Sequence, residues 1–186
     1  MRATLPSILG LIALAGAARA AEGVLDTSFT EPNGERVLQQ SIEVDASPAC
    51  PWRAMTDEAA IRASGVPMAH VDLRNGGLIE EGFTADAKPG GPQAIRHLII
   101  AYLPERLLVL RNQSAPAGLP GVELYPTIVQ VDSVEPLAGG RTRLTLSHTG
   151  YGAGKGYDQL YAFFRQHNPE FLIQVKSRCE GSRAPD

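Results

Sequence analysis

Cysteine is almost absent: the 186 residues contain only Cys50 and Cys179. Two thiols cannot build a zinc site, and their separation excludes a C-x-x-C redox pair. Positive charge is equally sparse. No lysine or arginine run exceeds two residues, and the net charge is −3 with an isoelectric point near 5.8. That balance lacks the basic footprint of a nucleic-acid binder. The four histidines, His70, His97, His148 and His167, share no close ligand spacing with one another, with cysteine or with a carboxylate. No metal motif and no cofactor fingerprint follows from them. There is no G-x-S-x-G elbow, so the hydrolase nucleophile it would carry is missing. Beyond the first twenty residues no apolar run is long enough to span a bilayer.

What remains is an ordinary globular composition, 44% hydrophobic and 20% charged, at a length that suits one domain. The N-terminus differs from the rest. Arg2 gives a positive start, Leu5 to Ala18 is apolar or small, and Ala18-Arg19-Ala20 has the A-x-A form of a cleavage site. Residues 1–20 therefore read as a secretory signal peptide rather than a membrane anchor. No cysteine follows the apolar stretch and no twin arginine precedes it, which favours the general secretory route. The expected location is periplasmic or secreted. Losing Arg2 and Arg19 takes the net charge from −3 to −5. An oxidising compartment permits a bridge between Cys50 and Cys179, with two unrelated buried thiols as the alternative.

Residues 21–35 read as a loose leader with a turn at Pro32-Asn33-Gly34. In Arg36 to Val44, Leu38, Gln40, Ile42 and Val44 fall on one face, which predicts a strand. Ser47 and Pro48 open a short amphipathic helix as N-cap and first helical residue, with Trp52, Met55 and Ala59 on its apolar side. Six further strands are expected near residues 69–74, 78–84, 94–103, 107–112, 127–135 and 141–149, separated by Gly- and Pro-rich turns. The irregular loop from Gln113 to Pro126 is a candidate cavity rim. The last helix carries Tyr157, Leu160, Tyr161, Phe164, Phe171, Leu172 and Val175 on one side, a stripe whose plainer reading for any one residue is core packing. Asn168-Pro169 predicts a kink, or a break recapped by Asn168. Residues 180–186 read as a tail.

The order strand, helix, six strands, long helix resembles the START-like or helix-grip superfamily, also called SRPBCC. The segment SIEVDASPACPWRAMTDEAAIRAS resembles its first strand and helix start. HLIIAYLPERLLVL resembles its paired central strands. GGRTRLTLSHTGYG with YDQLYAFF is similar to the closing strand and helix of the branch named for activators of a heat-shock chaperone ATPase. The likeness covers about Arg36 to Lys176, within a domain set at 36–179. It implies an α+β fold: a curved antiparallel seven-stranded sheet gripping a long C-terminal helix, with a short helical segment after the first strand. In such folds the small helices support the far end of the long helix, which implies that Cys50 and Cys179 lie near each other. The superfamily hosts ligand carriers, cyclases and co-chaperones, so fold does not fix function. An exported chain would not meet an ATP-driven cytosolic chaperone, so the branch name does not carry the function here.

The expected function is binding of a small, mostly apolar ligand between sheet and helix. The alternatives are a cyclase, dehydratase or hydrolase using a cavity carboxylate or His148, and an interaction module for exported clients. Tyr157, Tyr161 and Phe164 are the expected cavity walls, with Gly150, Gly152, Gly154 and Gly156 letting the helix stand off. GYGAGKG itself is no P-loop, since its Gly-Lys comes one residue early and Gly156 follows in place of a hydroxyl residue. His148 shares its strand face with Leu144 and Leu146, as a cavity residue or a hydrogen-bonded interior histidine. Glu81, if it lies with Ile79 and Phe83, is an apolar-face carboxylate with a raised pKa; otherwise it reaches water at a strand end. Arg96 and Tyr102, on one face of an unbroken strand, either orient a polar ligand group or line the solvent side. The sequence sets no oligomeric state.

Overall fold

Leu38, Gln40, Ile42 and Val44 are all buried, and the strand that carries them pairs along its whole length with the sheet's C-terminal strand. The computed structural model describes residues 23–181, so the signal segment and the last residues of the tail lie outside the described residues. The strands are Leu25–Asp26 (β1), Phe29–Thr30 (β2), Arg36–Val44 (β3), Met68–Val71 (β4), Leu78–Gly82 (β5), Ala94–Leu103 (β6), Leu107–Ser114 (β7), Val129–Pro136 (β8) and Thr142–Tyr151 (β9). They form one open antiparallel sheet in the order β1-β3-β9-β8-β7-β6-β5-β4, with β2 also on β3. Nine strands replace the expected seven because the leader is not loose. Leu25 and Asp26 pair with Ser41 and Gln40, and Phe29 and Thr30 with Val37 and Arg36. They cover what would otherwise be the open edge of β3. Asp26 also receives Arg165 from the last helix at 2.9 Å.

The single helix expected after β3 is two: Ala49–Thr56 (α1) and Glu58–Ala63 (α2). Asp57 separates them. Its backbone is extended, and its carboxylate accepts from the Ala60 N–H at 2.8 Å, so it ends one helix and caps the next. Ser47 contributes its carbonyl, which accepts from the Cys50 N–H at 3.1 Å, and no side chain caps α1. Trp52 and Met55 are buried as the spacing predicts, whereas Ala59 falls beyond the break and is exposed.

The long helix, Lys155–Gly181 (α3), runs through Pro169 unbroken, so of the two alternatives the break is excluded. Pro169 has no N–H for the Arg165 carbonyl. The buried Gln40 on β3 supplies the donor instead, its Nε2 donating to that carbonyl at 3.1 Å. Asn168 consequently does not recap; it is buried on the inner face of α3.

Both ends of α3 are pinned. At the start, a Cβ on Gly121 (φ 72°) would come within 2.4 Å of the Gly156 carbonyl, and one on Gly150 (φ 95°) within 2.5 Å of the Thr127 carbonyl. The glycines therefore admit close backbone approach rather than letting the helix stand off, which corrects the sequence expectation. At the far end Cys179 is bonded to Cys50 of α1, S–S 2.00 Å. Lys176 Nζ donates to the Glu43 carbonyl at 2.8 Å, and Arg178 donates to the Ala60 and Ala63 carbonyls. Two separate apolar clusters result. One gathers Trp52, Leu144, Leu172 and Val175 near the disulfide; the other gathers Leu38, Tyr125, Ile128, Tyr151 and Leu160 near the start of α3.

The disulfide spans a sequence separation of 129. The chain-entropy model sets its contribution at roughly 5 kcal/mol at most. The Cys50→Ala/Cys179→Ala chain is expected to unfold at clearly lower denaturant, with an unchanged midpoint as the contradicting result.

Candidate functional site

Between the two apolar clusters lies a cavity of about 600 Å³. Its sheet wall comes from Ile79 and Glu81 on β5, Ile95 and His97 on β6, Leu108 and Leu110 on β7, Gln130 and Asp132 on β8, and Leu146 and His148 on β9. α3 contributes Phe163, Phe164, His167, Asn168 and Phe171 from the other side. Tyr125, from the short 3-10 helix Val122–Thr127, closes one end together with Leu119; Met55, Ile61 and Val66 close the other. The lining is mainly apolar, as small-molecule cavities are.

A seam of polar side chains crosses the concave face. Register aligns His97 with Asn112, Gln130 with His148, and both Asp132 and Gln40 with Leu146. With Glu81 added, each strand from β5 to β9, and then β3, sends at least one polar side chain inward. Tyr125 Oη and His97 Nε2 are hydrogen-bonded at 2.7 Å, while His97 Nδ1 is buried without a partner. Gln130 Nε2 donates to Asp132 Oδ2 at 2.7 Å, while Asp132 Oδ1 has none. Asn168 Nδ2 is the third unpartnered atom among the lining residues. His148 Nδ1 is 3.3 Å from Tyr151 Oη, and its ring meets Phe164 edge-on at 5.0 Å.

Burial sets the charge state of the seam. It raises the carboxyls of Glu81 and Asp132 to about 7 each, Gln130 partly offsetting the rise at Asp132. It lowers His97 to about 4, and burial with the neighbouring His97 lowers His148 to about 3. The phenols of Tyr125 and Tyr151 are pushed up by the same desolvation. At neutral pH the histidines are uncharged, the phenols protonated and the two carboxyls near their midpoint.

Of the residues singled out from sequence, Phe164, His148 and Glu81 line the cavity together. Tyr157, Tyr161 and Tyr102 do not. Tyr157 donates to Thr127 Oγ1 at 3.3 Å, and Tyr161 packs edge-on against Tyr151 at 5.1 Å with the Arg36 guanidinium over its ring at 4.9 Å. Both belong to the apolar cluster at the start of α3; the cavity opens one turn further on. Tyr102 stacks on Trp52 at 6.4 Å and donates to the Leu73 carbonyl at 3.3 Å. It does not share a face with Arg96, because the register slips between Ile99 and Ala101 and flips the alternation. Arg96 turns to the other face and binds the buried Glu80 at 2.9 Å. His97, Tyr125 and Asp132 were not singled out. Asp132 does alternate with Gln130 along β8, but that pattern by itself assigns the polar pair to solvent.

No protein-family model matches the chain, and no curated protein sequence matches it. Solved structures do. The Aha1 dimer from Colwellia psychrerythraea aligns over 80% of this chain and 98% of its own, with TM-score 0.60 and 14% identity. An HSP90 activator from Plasmodium falciparum aligns over 78% and 96%, with TM-score 0.59 and 15% identity. CalU16 from Micromonospora echinospora aligns over 87% and 86%, with TM-score 0.58 and 20% identity. This chain has the helix-grip fold. In this helix-grip domain the cavity occupies the gap between the concave sheet and the middle of α3. Among the described residues no helix is long and apolar enough to cross a membrane.

The raised Asp132 carboxyl has a cost that can be measured. In the unfolded chain it ionises near 3.8, in the folded chain near 7. Between those values the folded state binds more protons, so this group makes stability fall as pH rises. His97 and His148 act in the opposite sense, since the folded state keeps them neutral where the unfolded chain protonates. Asp132→Asn keeps an acceptor for Gln130 and removes only the first effect. Its stability gain is expected to be near zero at about pH 4 and to reach a few kcal/mol by about pH 7, at roughly 1.4 kcal/mol per unit. Denaturant midpoints across that range check it; a pH-independent difference, or a loss at pH 7, would contradict it.

Proposed function

We propose that this is an exported protein that holds a small, mostly apolar molecule in the cavity, with the polar seam orienting one polar end of that molecule. The observation that carries this reading is the 600 Å³ gap with apolar walls and three buried, unpartnered polar atoms among its lining residues. Native interiors seldom leave such atoms without partners, and a bound molecule or ordered water supplies them. Apolar walls give affinity, and the few polar groups give orientation. Export rests on the apolar N-terminal run and Ala18-Arg19-Ala20. That location, periplasmic or secreted, separates the chain from the role that the word activator states for one of its structural neighbours.

A second reading has its own observation. Glu81, raised to about 7, lies in the same cavity as the Tyr125–His97 pair. A carboxyl poised near neutrality beside a hydrogen-bonded phenol and imidazole suits general acid–base chemistry, of the kind a dehydratase or cyclase uses. A molecule recovered chemically unchanged after incubation supports carriage; conversion that Glu81→Gln abolishes supports catalysis.

Thermal unfolding with a panel of small apolar molecules tests the binding reading. A ligand of the folded state raises the melting temperature by mass action. Phe164→Ala removes a ring that contacts both Tyr125 and His148. It is expected to cost roughly 3 kcal/mol in the ligand-free protein and to weaken the shift as well. Lost stability with unchanged affinity would make Phe164 core alone. No shift from any member would remove the binding reading.

A further inference from the structure

The charged side chains that line the cavity carry one sign only. They are Glu81, Asp132 and Glu170; among the described residues no lysine or arginine lines it. The nearby arginines are turned to other partners. Arg96 holds Glu80, Arg62 holds Glu58 and the Ala69 carbonyl, and Arg36 holds Asp158. His97 and His148 are kept neutral by burial, and His167, the third lining histidine, turns its Nδ1 to the Phe163 carbonyl at 2.8 Å. A ligand with a carboxylate or phosphate head would therefore bury its charge with no counter-ion, which is strongly unfavourable.

The deepest of the three acids is Asp132, only 1% exposed. Gln130 fixes its Oδ2 at 2.7 Å, and its Oδ1 meets nothing. Directly across the strands stand Leu108 on β7 and Leu146 on β9, so no protein donor faces it from its register neighbours. Glu81 lies three strands away, beyond β7 and β6, at the other end of the seam. The opposing wall is aromatic, with Phe163, Phe164 and Phe171 on α3. Aromatic faces attract cations, most strongly where water is excluded.

We propose that the cavity selects a cationic amphiphile: an apolar body against the aromatic wall, and a protonated amine whose N–H donates to Asp132 Oδ1. This rests on the binding reading above and adds the charge class of the ligand. No bond is made or broken. The ammonium donates a charge-assisted hydrogen bond to the ionised carboxylate, and any proton the carboxyl carried passes to solvent.

Isothermal titration of the intact protein at neutral pH with three probes of one body tests this: phenylbutylamine, phenylbutanol and phenylbutanoate. The amine is expected to bind at least tenfold more tightly than the alcohol, and the carboxylate most weakly. In Asp132→Asn, with the fold checked by circular dichroism, the amine's affinity is expected to drop to within about twofold of the alcohol's. A carboxylate that binds as tightly as the amine overturns the charge class and leaves the binding reading standing. An advantage that survives Asp132→Asn, or is abolished by Glu81→Gln instead, overturns the anchor. Absence of binding by all three probes overturns this inference together with the binding reading for ligands of this size.

Discussion

The Gly156 carbonyl lies against Gly121 at one end of α3, and Cys179 is bonded to Cys50 at the other. Between these two fixed points the helix behaves as a bridge. A sheet curves because its strands twist, and a straight helix cannot follow that concavity along its whole length. Clamping the ends places good packing at the ends, where the two apolar clusters form, and leaves the middle unfilled. The cavity is thus a consequence of where α3 is held. Even Pro169 fits this scheme. The helix runs on through it, and the Gln40 amide satisfies the Arg165 carbonyl that Pro169 leaves without a donor.

The polar seam is the second consequence. A core selected for stability alone would fill these positions with leucine or valine, since buried polar groups without partners are costly. Instead Glu81, His97, Asp132 and His148 are all held away from their usual ionisation. Two carboxyls raised and two histidines lowered oppose each other in their effect on stability with pH, because each pair changes its proton count in the opposite direction. Perturbed ionisation of this kind clusters at functional sites, and that is one ground for the proposed binding role.

The sequence made the fold legible through its strand alternation and its turns. Leu38 to Val44, the paired strands around Pro104 and the helix after Gly154 fall where the pattern places them. The leader was misread because two-residue strands carry no alternation, and their pairing is decided by the open edge of β3. Within the site, Phe164, His148 and Glu81 were legible because each continues an apolar face. Asp132 was not, because β8 is inverted. Its valines at 129 and 131 alternate with Gln130 and Asp132, and amphipathic logic turns the valines inward, whereas the polar pair lines the cavity. Tyr102 was misplaced by the slip in β6, which no composition rule announces. Tyr125 sits in a proline-rich segment with no period, so only the folded chain brings its hydroxyl to His97.

The central claim is that the gap beneath α3 is held open for a small molecule. Mass spectrometry under non-denaturing conditions, on protein released from its native compartment, tests it most directly. The expected spectrum contains a complex heavier than the chain by one small organic molecule, which denaturation releases. A spectrum with the bare chain alone, at every setting gentle enough to preserve the fold, would contradict the claim.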